Sequence, residues 1–326
     1  MEKRMMLFHH IRGSAWAGIF LLLTGIQMAC HPSQNREIPP SSSQKRYLGF
    51  DPPGEEGRIF APGVISSKMD EHSAPAIAPD GHEIFWSVFN ESDKRMEIKT
   101  ATREEGVWSP PETADFSGIF WDDSPVFSPD GAKLFFCSKR PADADALPRN
   151  DQDIWVLHRQ ETGWSQPERL SFNTEQAESW CSAAANGNLY FTAVYHDSLG
   201  KGDLYIAKNI GGAYAKPVNI GAPVNARSNE MTPYIAPDES FLIFASTERY
   251  LGDGLYLCFR KATGAWTEPV LINNLLNPVS FKRHPGISPD GRFLFYVARV
   301  KDDARREIFW VGTDIIAEFK SRTDLQ

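Results

Sequence analysis

Five polar residues recur at one place in a repeated segment, three positions before a proline or its equivalent. They are His72, Asp122, Glu178, Glu230 and Lys282. Three of the five are acids, and carboxylate oxygens that converge on one point are the hard ligands that Ca²⁺ takes. The pattern predicts a ligand site for a cation or a sugar. Its predicted members are His72, Asp122, Asp123, Glu178, Glu230 and His284.

Two other interpretations of the same acids stay open. Each acid could instead accept hydrogen bonds from backbone N–H groups and help to fix the repeated units to one another, because repeated positions commonly repeat for structural reasons. Alternatively, two of the carboxylates could cleave or eliminate a glycan if they stood roughly 5–9 Å apart around a bound sugar. Ca²⁺ is the one cofactor that the pattern suggests, and the sequence assigns no metal ligand and no catalytic residue.

Familiar catalytic motifs are missing from the sequence. His82-Glu83 has no second histidine at zinc-protease spacing, and no G-x-S-x-G segment occurs. Pro129-Asp130-Gly131 also lacks the residue that separates Asp from Gly in a sialidase Asp-box. These observations argue against a peptidase or a sialidase.

The predicted site depends on a hairpin that the sequence builds five times. In its clearest copy, F-S-P-D-G-A-K-L-F-F-C-S from Phe127 to Ser138, two apolar strands flank Pro-Asp-Gly. Proline suits the first corner of a type I turn, aspartate can bond its own backbone, and glycine can take the left-handed conformation that follows. The predicted turn residues are Asp80, Asp130, Asn186, Asp238 and Asp290.

Two copies of this turn depart from the pattern. Asn186 has no preceding proline, and Glu239 stands where the other copies have glycine. A left-handed glutamate costs roughly 1 kcal/mol, so we expect this fourth turn to take another form.

The turn residues are 50, 56, 52 and 52 positions apart by subtraction, a period typical of propeller blades or solenoid units. Each interval holds a third strand, such as D-I-W-V-L from Asp153. It also holds a fourth strand that begins with an aromatic residue three places before a proline, as Trp108 precedes Pro111. The last unit lacks a fourth strand, and the unpaired segment Ile59 to Ile65 precedes the first hairpin.

We therefore predict an all-β fold: a five-bladed β-propeller of four-stranded antiparallel blades, closed by an N-terminal strand that pairs with Glu307 to Val311. Six blades are the alternative. A single propeller domain would span residues 47–320, followed by a short tail at 321–326.

The S-P-D-G-x-x-L-x-F repeats, followed by third strands like D-I-Y-V, resemble the TolB-like, WD40-like β-propeller proteins of the bacterial cell envelope. The segments Tyr47 to Ser66 and Arg306 to Lys320 are also similar to a subgroup of exported propellers. The resemblance covers residues 47–320. It implies an envelope protein that binds or scaffolds a protein or glycan, with a blade number that varies and is six in TolB itself.

Residues 1–29 are predicted to be a lipoprotein signal peptide. A basic start and the apolar segment Ala15 to Ile26 precede Ala29 and Cys30. Cys30 stands where bacterial lipoproteins carry their lipid, although Gln27 is unusual in such a box; cleavage after a small residue without lipidation is the alternative. Residues 30–46, rich in Pro and Ser, are predicted to form a disordered tether. We therefore expect an exported, lipid-anchored protein in the cell envelope, at the outer membrane.

Composition limits the partners. The formal net charge of −8, with Lys and Arg scattered along the chain, argues against a nucleic-acid ligand. Contact with a membrane is expected only through the lipid anchor, and the propeller is expected to be monomeric. Cys137, Cys181 and Cys258 are expected to be small buried residues. The aromatic residues Trp121, Trp180 and Tyr250 either contact a ligand or pack between blades.

Overall fold

The computed structural model describes residues 46–54, 56–67, 69–142, 147–276, 280–300 and 305–323. The predicted signal peptide, Cys30 and the tether up to residue 45 lie outside the described residues, and they stay predictions. Among the described residues, no helix has the length and apolar character needed to cross a membrane.

The described chain forms short and medium strands, one 3₁₀ turn and one helix. They are β1 (Arg58–Ile59), β2 (Asp70–Glu71), β3 (Ala76–Ile77), β4 (Glu83–Asn90), β5 (Arg95–Glu104), β6 (Val107–Trp108), β7 (Glu112–Thr113), β8 (Asp122–Phe127), β9 (Lys133–Ser138), β10 (Asp153–His158), β11 (Glu168–Arg169), β12 (Glu178–Ala183), β13 (Leu189–Ala193), β14 (Asp203–Ala207), β15 (Asn209–Ile210), β16 (Ala213–Tyr214), β17 (Val218–Asn219), β18 (Asn229–Ile235), β19 (Phe241–Thr247), β20 (Gly254–Phe259), β21 (Val270–Leu271), the 3₁₀ turn Asn273–Leu275, β22 (Ser280–Ile287), β23 (Phe293–Arg299), β24 (Arg306–Gly312) and α1 (Asp314–Thr323).

These strands make five antiparallel blades in a ring, so the five-bladed propeller is confirmed and the six-bladed alternative is wrong. Blade 1 contains β2 and β3 paired with β4, followed by β5 and β7. Blades 2, 3 and 4 have the orders β8-β9-β10-β11, β12-β13-β14-β17 and β18-β19-β20-β21. Blade 5 is β22-β23-β24 with β1 as its outer strand.

The predicted closure of the ring is present. Arg58 pairs with Trp310 and Ile59 with Phe309, and the Phe60 N–H donates to the Ile308 carbonyl at 2.8 Å. The pairing strand is shorter than expected. From Ala61, whose φ is +45°, the chain turns away, yet Phe60, Ala61 and Ile65 stay buried in the blade 5 to blade 1 core.

All five hairpin turns share one side-chain bond. The carboxylate or amide oxygen of the turn residue accepts the N–H two positions later, at 3.0–3.2 Å. The five acceptors are Asp80, Asp130, Asn186, Asp238 and Asp290. The side chain therefore holds the second corner of each turn, as an Asx turn does.

The fourth turn keeps the common form, against expectation. Glu239 has φ +58°, the left-handed conformation that glycine takes in the other copies. Its carboxylate accepts bonds from Asn188 Nδ2 and Tyr190 Oη, both at 2.9 Å, and pairs with Arg260 at 2.8 Å. These contacts to the neighbouring blade and to its own third strand compensate for the backbone strain.

The fourth strands begin after the proline rather than at the aromatic residue. Trp108 lies in β6, which pairs antiparallel with the end of β5 in a small hairpin. The outer strand of blade 1 is Glu112–Thr113, directly after Pro111. The same order occurs around Tyr214 and Pro217, because β16 pairs with β15 and β17 forms the outer strand. The proline therefore ends the small hairpin before the outer strand starts.

The core is divided among the five spaces between blades, and each space holds one cluster of buried apolar side chains. Second and third strands supply most of each cluster because their two faces meet different neighbours. In β9, for example, Phe136 faces blade 1 and Phe135 faces blade 3. This explains why these strands are apolar at nearly every position.

The buried cysteines agree with expectation. Cys137, Cys181 and Cys258 are buried free thiols.

The sequence analysis did not predict helix α1. This helix follows β24 directly and packs Ile316 against the blade 4 to blade 5 core.

Candidate functional site

The ring has two faces. We call the upper face the one formed by the loops that lead into the first strands together with the loops that join second and third strands. The lower face carries the Asx turns. Because all first strands run from the upper to the lower face, the predicted site residues lie near the upper end of the central channel, where those strands begin.

The three predicted acids of the ring are inside the blades. Asp122, Glu178 and Glu230 are each 0% exposed. Asp122 accepts from Ser138 Oγ at 2.6 Å and pairs with Arg140 at 2.9 Å. Each carboxylate is thus bonded within its own blade and the loop that precedes it.

Glu178 and Glu230 show how the loops are held. Glu178 accepts bonds from Tyr195 Oη at 2.6 Å and from the N–H and hydroxyl of Thr174. Burial raises the pKa of Glu178 despite these bonds. Glu230 accepts from the Ala226 N–H at 3.1 Å and from Ser228 and Ser246. Both acids hold the loop that leads into their first strand.

In blade 1, the residue equivalent to these acids is not the one that stands three positions before the proline. Glu71 pairs with Val88 as Asp122 pairs with Ser138, and both partners lie eight positions after the turn aspartate. Glu71, fully buried and bonded to the Ser67 N–H at 2.8 Å, is therefore the equivalent of the acids. Blade 1 has one more residue before Pro75, which places His72 nearer the channel.

Below the acids, four first strands share a bulge. Its residue has a left-handed φ of +49° to +53° in Ser124, Trp180, Thr232 and His284. In the first three, the N–H donates to a second-strand side chain of the preceding blade: Ser87, Cys137 or Thr192. These bonds tie neighbouring blades together around the channel, and the bulge turns the four side chains toward its centre.

The bulge residues line one end of a cavity of about 820 Å³. Its walls are mainly apolar first-strand residues and turn prolines, and helix α1 contributes Ile316, Ala317 and Lys320 at the lower end. The cavity therefore extends toward the lower face, away from the predicted mouth. Ser124, Trp180, Thr232 and His284 separate it from the upper end of the channel.

Three predicted residues do come together at the upper end. His72 Nδ1 lies 3.0 Å from Asp123 Oδ1, and the His72 and His284 rings are 5.0 Å apart between centroids. His284 Nδ1 is also 3.5 Å from Ser124 Oγ. Asp123 and His284 are almost fully buried, whereas the His72 side chain keeps 18% of its surface exposed. His72 is thus the member of this group that solvent reaches.

The charges of this group follow from its surroundings. Burial alone would raise the pKa of Asp123, but the charge and hydrogen bond of His72, with smaller contributions from His284 and Ser87, hold it far below its usual range. Burial, followed by repulsion from His72, lowers the pKa of His284 well below its ordinary value. At neutral pH the group contains an ionised Asp123 and a neutral His284.

The group does not have the geometry of a nucleophile activated by an oriented base. The Ser124 to His284 distance is at the limit of a hydrogen bond, and Asp123 orients His72 rather than His284. Among the described residues, no group of three or more His, Cys, Asp or Glu side chains is placed to hold a metal ion. What the upper end offers is one exposed imidazole held by a buried carboxylate.

The loops around this point carry exposed apolar side chains. Six of the nine large hydrophobic residues exposed in the described chain belong to upper-face loops. They are Ile119, Leu147, Val194, Leu199, Tyr250 and Leu251. Leu147 and Tyr250 are 86% and 85% exposed. Of these six residues, the sequence analysis named only Tyr250. Loops have no periodic sequence pattern that predicts which of their side chains are exposed.

Comparisons with known proteins give the fold its context. No family model matches the sequence, and no curated protein matches it. Several solved structures are similar to this one. A TolB from Agrobacterium tumefaciens has a TM-score of 0.48 at 16% identity, covering 74% of this chain and 77% of its own. The TolB of Acinetobacter baumannii has a TM-score of 0.49 at 18% identity, covering 77% of this chain and 54% of its own.

The chain resembles the TolB-like β-propellers in fold. The resemblance expected from the Pro-Asp-Gly repeats is confirmed at that level. This chain spans about half the length of the Acinetobacter protein. An α-L-arabinofuranosidase from Lactobacillus brevis is similar to the same extent, with a TM-score of 0.49 at 15% identity over 76% of this chain and 92% of its own.

Proposed function

We propose that this protein is a non-enzymatic binding or scaffold propeller of the cell envelope, which contacts a protein or glycan ligand through its upper face. The observation that carries the proposal is the concentration of exposed apolar side chains in the loops of that face. A large patch of exposed apolar surface marks a place where a protein meets a partner. Leucine, valine and tyrosine side chains of this kind favour a protein over a glycan.

Within that face, the upper end of the channel supplies the polar centre. His72, Asp123 and His284 lie there, and His72 is partly exposed. Protein interfaces combine apolar contacts with a smaller number of hydrogen bonds. Asp122, Glu178 and Glu230 act behind them by holding the loops in place.

The attachment to the envelope is also part of the proposal. The apolar segment Ala15 to Ile26 followed by Ala29-Cys30 supports export and a lipid on Cys30. The tether would then let a monomeric propeller present its upper face at some distance from the outer membrane, since an extended residue spans roughly 3 Å.

The alternative of a carbohydrate-active hydrolase or lyase has weaker support. That mechanism needs two carboxyl groups that reach a bound sugar. Asp122, Glu178 and Glu230 are fully buried and bonded within their blades. A substrate could meet them only after the loops that they hold had opened.

Surface variants with matched controls test the proposal. Leu147→Asp and Tyr250→Asp change the upper face, whereas Val107→Asp and Ile210→Asp change exposed positions in the hairpins between third and fourth strands. All four sites are at least 68% exposed, so each variant should fold. In pull-downs from envelope extract, the partner recovered with the parent should be lost with the first two variants and kept with the controls. Equal recovery with all four would refute binding through the upper face.

A further inference from the structure

Blade 5 reverses the charge of the repeated first strand. Where blades 2, 3 and 4 carry Asp122, Glu178 and Glu230, blade 5 carries Lys282, and Arg283 follows it. Strand β22 also has two register shifts with its partner, whereas β8, β12 and β18 have one each. The additional shift lies between Ser280 and Arg283, at the upper face.

Phe281 lies within this additional register shift, between Ser280 and Arg283. Its φ is +58°, a conformation that bulky residues seldom adopt and that commonly marks a functional constraint. The Phe281 ring is half-buried and contacts two cations. The guanidinium carbon of Arg283 lies 4.3 Å from the ring centroid and that of Arg299 lies 4.8 Å away. Both guanidinium groups therefore lie against the same aromatic ring.

Neither guanidinium has an ion pair with a residue that the structure describes. Among the described residues, no carboxylate lies within ion-pair distance of Arg283 or Arg299, although Arg306 nearby is paired with Asp70 at 2.8 Å. Asp253 is the acid that acts on Arg283 through space, but its Oδ1 already accepts the Glu248 N–H at 2.8 Å.

The surroundings of Arg283 disfavour its positive charge. Burial lowers the pKa of Arg283, and the charges of Arg306 and Arg299 lower it further against the opposite effect of Asp253. An anion placed between the two arginines would remove this repulsion. Both side chains remain accessible, since Arg283 is half-buried and Arg299 is exposed.

We propose that Arg283 and Arg299, held by Phe281, form a binding site for an oxyanion, either a carboxylate or a phosphate group. A guanidinium presents parallel N–H donors that match both groups, and two of them can bind one oxyanion from two sides. The site lies on the upper face beside His284. The proposal does not depend on the identity of any protein partner, because it concerns the anionic group itself.

Arginine side-chain NMR on the full soluble propeller tests the site directly. Inorganic phosphate and N-acetylglutamate are titrated separately at constant ionic strength, and the Nε–Hε signals of Arg283 and Arg299 are followed. We expect both signals to shift and saturate with one or both anions, and the anion that binds more tightly identifies the favoured group. Arg260 is the internal control. It also stacks on an aromatic ring, Trp266 at 5.4 Å, but it is already paired with Glu239.

Two variants complete the test. Arg299→Gln changes an exposed residue and should leave the fold intact, and Arg283→Gln changes the partly buried one. Each should weaken anion binding about tenfold or more, because a charge-assisted contact is lost. The proposal is overturned if neither anion shifts these signals, if Arg260 shifts in parallel with them, or if Arg299→Gln binds as the parent does.

Discussion

Ile59 in the first strand of the propeller pairs with Phe309 in the last, so that one blade is built from both ends of the folded chain. Phe60, the next residue, secures this junction. It is fully buried, and its ring centroid lies 4.9 Å from that of Phe295 and 5.1 Å from that of Trp310. This pairing covers the outer edge of the last blade's third strand and leaves only the short edge of β1 exposed to pairing.

Removing the Phe60 ring should therefore open the propeller more readily. We expect Phe60→Ala to lower the free energy of unfolding by about 3–5 kcal/mol, the usual cost of a large buried aromatic. Ile119→Ala, at a position that is 77% exposed, is the control and should change stability by less than about 0.5 kcal/mol. Urea unfolding followed by tryptophan fluorescence measures both. Similar midpoints for the two variants would contradict a closure that depends on Phe60.

Glu71 should make stability fall as the pH rises from about 4.5 to about 8. Burial, and then repulsion from Glu307, raises the pKa of Glu71 to about 8. The folded state therefore holds a proton that the unfolded chain releases above about pH 4.5, and this contribution is lost as the pH rises through about 8. Glu71→Gln can still accept from Ser67 and carries no charge.

The Gln variant should exceed the parent in unfolding free energy at pH 9 by roughly 1–4 kcal/mol, with little difference at pH 5. Chemical unfolding at the two pH values measures this. Glu161→Gln, an exposed acid for comparison, should leave the pH dependence of the parent unchanged. A parent whose stability does not fall between pH 5 and pH 9 relative to Glu71→Gln would contradict the prediction.

His284 should have the opposite effect in mild acid. Its pKa is far below the ordinary value, so the folded state keeps a neutral ring while the unfolded chain takes up a proton below about pH 6.5. This contribution to stability is present above that pH and is lost as the pH falls. Asp123 stays ionised across the same range, because its pKa is lowered as well.

Imidazole ¹⁵N shifts provide the measurement. We expect His284 to remain neutral at pH 5.5 in the folded protein, and the exposed His196 supplies a second imidazole signal for comparison in the same spectrum. The stability of His284→Gln should also decrease less than that of the parent between pH 7 and pH 5. A His284 signal that titrates near pH 6.5 would show that the ring is not held as the structure has it.

An asparagine side chain is bonded to the third strand in three blades. Asn225 Oδ1 accepts the Leu204 N–H at 2.9 Å, and its Nδ2 donates to the Leu204 carbonyl at 2.9 Å. Asn173 and Asn273 bind the third strands of their own blades in a similar way. Asn225→Ala should cost about 1–3 kcal/mol in thermal or urea unfolding, because the buried Leu204 N–H loses its partner and the Leu204 carbonyl keeps only the Ile220 N–H. The exposed Asn150→Ala is the control, and an equal effect of both substitutions would contradict this role.

The sequence was sufficient for the architecture because the information is local and repeated. Each hairpin turn carries Asp or Asn at its second corner, and the structure uses that side chain five times in the same way. The unpaired segment at Ile59 and the missing outer strand of the last unit were also visible from counting. Turn chemistry and periodicity together predict a ring of five blades.

The candidate site was only partly predictable, since its geometry depends on contacts that a repeat does not reveal. Counting to the proline selected His72, whereas strand pairing places Glu71 beside the other acids. The bulge that turns Ser124, Thr232 and His284 toward the channel has no residue signature besides the proline that follows each. Helix α1 and the exposed Leu147 belong to segments without a repeat, so no neighbouring copy indicated their role.

The central claim is that a partner binds the upper face. The most direct measurement is photo-crosslinking from a benzoylphenylalanine placed at Tyr250 or at Val107, in cells that produce the full chain. Both positions are at least 71% exposed, but they lie on different sides of the ring. The account predicts a discrete crosslinked complex from position 250 and none from position 107. The same complex from both positions, or a complex from position 107 alone, would contradict it.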